Sequence, residues 1–313
     1  MRMSQVKNLL FRRVNKQMNF EDRLKAFSDS FNKKLPNLFS FPQGTEQQVS
    51  RAMFYSLSNG GKRLRPFLTI KTAELFGISE ETSFTVAASL EMLHTYSLIH
   101  DDLPAMDNDD FRRGKPTCHK QFDEATAILA GDGLLTYAFE VLSKAPLIPA
   151  ETKIKLCALL AERAGAFSGM VAGQMLDLQT EKTPSLSSEE IIKHIEEMKT
   201  GCLIAYAAQA GAILGKASSE QYQAITDYAR AIGIAFQIAD DILDVIGDEA
   251  LMGKTLGKDA SQNKLTFVSL YGLDSARKKA KELIEKAKSS LRIFKTDTQD
   301  LRDLADFIIS RDH

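Results

Sequence analysis

Two runs of aspartate sit at the ends of otherwise apolar segments. The first reads His100-Asp101-Asp102-Leu103-Pro104-Ala105-Met106-Asp107-Asn108-Asp109-Asp110, and the second Phe236-Gln237-Ile238-Ala239-Asp240-Asp241-Ile242-Leu243-Asp244-Val245. Carboxylates among apolar neighbours are costly to desolvate unless cations meet them. At about 100° per residue, Asp101 stands nearly above His94 and close to Ser97 on one helix face. Asp107 would point away in a straight helix. Pro104 cannot donate to the carbonyl of His100 and clashes there, so the helix is expected to end and swing Asp107 back toward Asp101. In the second run Asp240 and Asp244 lie one turn apart, and Gln237 shares a side with Asp241 and Asp244. Oxygen-only donors without a Cys/His set point to Mg²⁺ rather than zinc. A calcium-loop reading fails, because Met106 stands where the loop needs Gly and Arg112 where it needs Glu.

Clustered cations match these acids. Gly60-Gly61-Lys62-Arg63-Leu64-Arg65-Pro66 packs Lys62, Arg63 and Arg65 behind a glycine pair that permits close backbone approach. It has neither P-loop nor Rossmann glycine spacing. Arg112-Arg113-Gly114-Lys115 follows the first acidic run directly, so a metal bridging the acids to an anion gripped bidentately by the arginines would explain both signs. Further cations are Lys199, in a Lys199-Thr200-Gly201 break that predicts a kinked helix, then Lys254 and Lys258 in Gly253-Lys254-Thr255-Leu256-Gly257-Lys258-Asp259, and Lys264.

The elements that must hold these residues read as helices. The chain has 313 residues, 44% of them hydrophobic, and 40 basic against 41 acidic side chains. That is enough to bury a large core, with no global basic field for nucleic acid. No proline follows Pro184, and 84–100 and 225–245 carry apolar residues at spacings of three and four, Val86, Leu90, Leu93 and Ser97 lying along one stripe. Strand-type alternation is not evident. The expected fold class is all-α, a helical bundle in one domain over 1–313, broken near 36–44, 114–117, 145–150, 180–188 and 215–220. Cys118, Cys157 and Cys202 form no disulfide or metal framework, which suits a reducing compartment, and no run reaches the length of a membrane span, so a cytoplasmic protein is expected. The first twenty residues carry Arg2, Lys7, Arg12, Arg13 and Lys16 with no acid, a composition shared by transit peptides and solvated leading helices.

These segments together resemble the trans-prenyltransferase (polyprenyl synthetase) family. The residues that carry the resemblance are GGKRLRP (60–66), LEMLHTYSLIHDDLPAMDNDDFRRGKPT (90–117), AGQMLDL (172–178), MKTG (198–201), FQIADDILDV (236–245) and GKTLGKD (253–259), in the family's order. The first 45 or so residues are weakly covered. The chain departs from the pattern at Ala172-Gly173, where paired glycines are usual, and at Val268, where a proline often stands. The resemblance implies an isoprenoid-synthase bundle around a central cavity, a homodimer, and a head-to-tail condensation of isopentenyl diphosphate with allylic diphosphates. It places Asp101, Asp102, Asp107, Asp240 and Asp244 on three Mg²⁺ ions, and Arg112, Lys199 and Lys254 on the allylic diphosphate. Lys62, Arg65, His94 and Arg113 match the isopentenyl diphosphate site, with Lys264 completing the cationic trail. Thr200 and Gln237 match groups bordering the allylic carbon, weak dipoles that a carbocation would not alkylate. Tyr96 and Ser97, about 6 to 7.5 Å below Asp101 along the helix, match the positions that set product length, with bulky Tyr96 implying a stop at C15. Terpene cyclases share the fold but would lack GGKRLRP and carry a different second metal motif than DDILD.

Overall fold

The computed structural model describes residues 18–41, 44, 47–183, 188–246 and 266–311. Lys254, Lys258 and Lys264 lie outside them.

The fold is all-α; the first aspartate run begins at the end of one long helix and continues into the loop after it, and the second lies on another. Helix α1 (Phe20–Lys34) passes through a 3₁₀ turn to α2 (Gln47–Leu57), α3 (Leu64–Leu75) and α4 (Glu80–Asp101). After a two-residue hairpin and the short α5 (Cys118–Gln121) come α6 (Glu124–Ser143), α7 (Ala150–Ala164), α8 (Met170–Lys182) and α9 (Glu189–Glu196). A π turn at Glu197–Gly201 leads into α10 (Cys202–Leu214), followed by α11 (Ser219–Ile246). The series ends with α12 (Phe267–Tyr271), α13 (Leu273–Ser290) and α14 (Gln299–Ser310).

Local chemistry sets the start of α4: the Ser79 side chain accepts from the Thr82 amide, and Glu80 and Glu81 complement the positive helix end. Val86, Leu90 and Leu93 of the expected stripe are fully buried, and Ala87, Ala88 and Met92 bury the other faces too. A helix apolar on every side needs neighbours on every side, and α4 finds them in α3, α6 and α10. Helix α11 packs against α10 and α13, fixed at mid-length where Tyr228 donates to the Leu301 carbonyl at 2.6 Å. Helices α4 and α11 make no extensive contact with each other among the described residues; α10 packs against both.

Helix α6 is long and apolar enough to cross a membrane by length and composition. Its Ala127, Ala130, Leu134, Ala138 and Leu142 are buried in the core, while Ile128 and Leu129 face outward. Gly131 permits the contact with α4, since a Cβ there would fall 2.2 Å from the His100 ring.

The expected breaks at 145–150 and 215–220 fall at interhelix connections and that at 114–117 in a hairpin, those at 36–44 and 180–188 lie partly outside the described residues, and the structure adds turns at 76–79 and 165–169. It also adds antiparallel pairing of Phe111 with Pro116 and Arg112 with Lys115. The strands are too short for an alternating signal. Arg113 and Gly114 both take positive φ, 53° and 72°, which is the geometry of a two-residue hairpin turn.

Candidate active site

Helix α4 ends at Asp101, three residues before Pro104. The chain then folds back: the Asp107 amide donates to the Asp101 carbonyl at 2.8 Å, and the Asn108 amide to the Leu103 carbonyl at 3.1 Å. The Asp101–Asp107 approach expected from Pro104 is therefore closed by a backbone hydrogen bond. Burial pushes the Asp101 carboxyl up to about 6, with Asp107 and Asp102 adding to the rise and Lys199 and Arg112 opposing it. Excess negative charge at a partly desolvated position suits a bound cation.

Asp102 is buried and faces the hairpin. Arg112 Nε lies 2.8 and 2.9 Å from its two oxygens, and Nη2 lies 2.5 Å from Oδ1. Both oxygens are thus occupied by a guanidinium in this structure, where a metal ligand was expected, and Nη1 is the edge of Arg112 not turned on Asp102.

The glycine pair serves protein packing. Gly60 and Gly61 have φ of 68° and 104°, and a Cβ on Gly61 would lie 2.6 Å from the Arg113 guanidinium carbon. Arg113 Nη1 donates to the Gly60 carbonyl at 2.7 Å, and Asn59 Nδ2 to the Arg112 carbonyl at 3.1 Å. The loop before α3 and the arginine hairpin are interlocked. Of the three clustered cations, Arg63 turns inward from a left-handed backbone position at the start of α3. It is buried on Glu91 at 2.5 Å and donates to Asn32 at 2.9 Å. Lys62 stands over the Phe307 ring, 5.4 Å from its centre. Arg65 Nη1 lies 3.3 Å from His94 Nε2, and Arg65 Nε is buried without a hydrogen-bond partner. Burial, then the charges of Arg65, Arg113, Arg112 and Arg63, hold the His94 imidazole well below its ordinary range, so it is neutral. Arg65, His94 and Arg113 therefore form one basic cluster, with an orphaned N–H on Arg65.

The kink expected at Lys199-Thr200-Gly201 is the π turn, a geometry frequent at functional sites. Lys199 Nζ donates to Asp177 Oδ2 of α8 at 2.6 Å. Thr200 Oγ1 donates to Gln237 Oε1 at 3.3 Å, and Gln237 Nε2 donates to Asp241 Oδ1 at 3.2 Å, so the amide oxygen is directed at Thr200. Asp241 turns inward and accepts the Phe267 amide at 3.0 Å. Asp240 accepts from Arg311 Nη2 at 2.8 Å, with the guanidinium stacked 3.9 Å above the Phe236 ring. Asp244 is half-buried near the end of α11.

Tyr96 is buried with its ring edge-on to His100 at 5.6 Å, and the half-buried Ser97 donates to the His94 carbonyl at 2.9 Å. A cavity of about 380 Å³ borders Met198 and Gly201 of the π turn, but none of the aspartates lines it. Asp177, the Arg63–Glu91 pair and Arg311 escaped the sequence reading; an acid within an apolar helix, as at Glu91, was the available signal.

Among the described residues no three acidic, His or Cys side chains converge into a closed metal cage. Oxygen-only donors, spread over the loop after α4 and over α11, fit a hard cation that completes its shell with water and phosphate.

A family model described as polyprenyl synthetase matches residues 46–301. A farnesyl diphosphate synthase of Haemophilus influenzae is 46% identical over 296 residues, covering 94% of this chain and 99% of its own. A geranylgeranyl diphosphate synthase of Cyanophora paradoxa is 42% identical over 293 residues, covering 93% and 95%. The crystal structure of an FPP/GFPP synthase from Zymomonas mobilis, in its apo form, superposes with a TM-score of 0.84 at 36% identity, covering 93% of this chain and 99% of its own.

Proposed function

The chain belongs to the polyprenyl synthetase family, and from that premise we propose that it joins isopentenyl diphosphate head-to-tail (1'-4) to dimethylallyl and then geranyl diphosphate, yielding (2E,6E)-farnesyl diphosphate. One observation carries the reading: the Asp101–Asp107 loop, held shut by its backbone hydrogen bond, lies within electrostatic reach of both Arg112 and Lys199. Ionising an allylic diphosphate needs both signs at one place, acids for metal and cations for the leaving anion.

Asp101, Asp102, Asp107, Asp240 and Asp244 would hold Mg²⁺, three ions by the family pattern, which when bound neutralise the charge of the departing diphosphate. Arg112 and Lys199 bind the same anion, and Lys254 joins them by resemblance. Lys62, Arg65, His94 and Arg113 take the second diphosphate, the orphaned Arg65 Nε supplying a donor already desolvated. Neutral His94 serves there as a hydrogen-bonding group without charge. The Gln237 amide oxygen and the Thr200 hydroxyl, held on each other, border the cation with dipoles of low basicity, and the alkene of isopentenyl diphosphate attacks C1. Proton loss to the released pyrophosphate completes each round.

The buried Tyr96 below Asp101 supports a C15 stop over the geranylgeranyl or geranyl alternative. The outward Ile128 and Leu129 of α6 offer an apolar face for the homodimer expected of this family, and the whole of 1–313 is read as one domain in the cytoplasm. Incubation with labelled isopentenyl diphosphate plus dimethylallyl or geranyl diphosphate, with and without Mg²⁺, tests the proposal. The expected result is metal-dependent C15 product; no elongated product in any combination overturns it, and C20 or C10 as main product transfers the assignment to the alternative.

A further inference from the structure

We infer that Asp177 is a positioning residue for Lys199, holding its ammonium in one place so that an arriving allylic diphosphate meets a preplaced cation. The inference rests on the reading that Lys199 touches that diphosphate.

Lysine is a poor positioning device on its own, since its charge ends a flexible four-carbon stem. Here the stem is tied at both ends. At the backbone, Gly173 of α8 packs against the π turn so closely that a Cβ would fall 2.4 Å from the Lys199 nitrogen and 2.9 Å from its Cα. At the tip, the ammonium donates to Asp177 at 2.6 Å, with the lysine side chain 30% exposed and the aspartate 5%. Gly173 and Asp177 are four residues apart, one turn along the same face of α8. That face therefore supports both the turn bearing Lys199 and its charge. Thr180 Oγ donates to the Asp177 carbonyl at 2.7 Å, fixing the helix around the acid.

A preplaced side chain saves the ordering cost otherwise met on binding, a factor of about three to ten for one long side chain. The test is a double-mutant cycle in the full-length enzyme with Mg²⁺, measuring kcat/KM for dimethylallyl diphosphate at saturating isopentenyl diphosphate, and KM for isopentenyl diphosphate separately. Asp177→Asn should lower the allylic kcat/KM about tenfold while leaving KM for isopentenyl diphosphate within twofold, and Asp177→Glu should recover part of the loss. In a Lys199→Met background, Asp177→Asn should change nothing beyond twofold. An equal loss in both backgrounds, or no loss in either, overturns the inference. If Asp177→Asn does not fold, Asp177→Glu carries the same test, with a threefold loss expected only when Lys199 is present. Lys199→Met matching the unmodified enzyme would instead overturn the parent reading of Lys199.

Discussion

Replacing Gly173 with alanine adds one carbon where the structure has least room. The new Cβ would lie 2.4 Å from the Lys199 backbone nitrogen, 2.8 Å from Met198 Cβ and 2.9 Å from Lys199 Cα, against the 3.4 Å at which ordinary contact begins. None of these atoms is the end of a flexible side chain, so relief requires α8 and the π turn to separate by about 1 Å. Overpacking of this kind costs about 1–3 kcal/mol. In a chain of this size that lowers the melting temperature by roughly 2 °C per kcal/mol. The same displacement carries Lys199 and Thr200 off Asp177 and Gln237, and a 1 Å misplacement can cost about 100-fold in turnover. Steady-state assays with labelled isopentenyl diphosphate and thermal melts of the same preparation should therefore show a modest stability loss and a much larger activity loss. Ala172→Gly, which restores the usual glycine pair, should give no gain in turnover and lose about 1 kcal/mol of stability through helix entropy. Gly173→Ala enzyme with kcat within twofold of the unmodified protein would refute the claim that this contact places Lys199.

Glu91→Gln leaves the Arg63 guanidinium buried opposite a neutral amide; the loss should be about 3–5 kcal/mol in urea unfolding, and a change below 1 kcal/mol would show that the pair does not hold the start of α3. Tyr96→Ala should let products of C20 or longer form, read by chromatography of the hydrolysed prenols, and unchanged C15 would remove Tyr96 as the floor. For His94 the folded imidazole resists protonation while the unfolded one takes a proton near 6.5. Its contribution to stability is therefore present above pH 6.5 and is lost as pH falls below it. His94→Asn should lose less stability than the unmodified protein between pH 7 and pH 5, and a steeper loss in the variant would contradict the neutral assignment.

The parts legible in sequence were those whose cause is local. Pro104 three residues after Asp101 is sufficient to end α4 and return Asp107, and Lys199-Thr200-Gly201 within a helical run signals a break. What was not legible depends on partners distant in the chain. Lys62, Arg63 and Arg65 are equivalent as composition; only the left-handed turn at Arg63 and the presence of Glu91 on α4 decide which becomes structural. The glycine pair read as room for a ligand is room for Arg113, because the hairpin that delivers Arg113 pairs two residues per strand and leaves no periodic trace. Asp177 stands within AGQMLDL, a run with no basic residue, and its partner Lys199 comes 22 residues later on the π turn.

These long-range pairs share a pattern. Arg112 rests on Asp102, Lys199 on Asp177, Arg63 on Glu91 and Arg311 on Asp240. An overall charge of −1 thus conceals a site in which opposite charges are already neutralised in pairs, which keeps a dense set of cations from repelling one another. For Arg112 and Lys199, anion binding then means sharing a cation: a diphosphate meets Arg112 while Asp102 holds it and Lys199 while Asp177 holds it. The terms of that sharing differ. Asp102 holds Arg112 through Nε and Nη2 and does not engage Nη1, so the arginine can bridge acid and anion together. Lys199 has three protons on one compact ammonium and can share itself in the same way without leaving Asp177. Both carboxylates can therefore remain in contact with their cations in the loaded enzyme and keep their aim while the charge of the ligand is met.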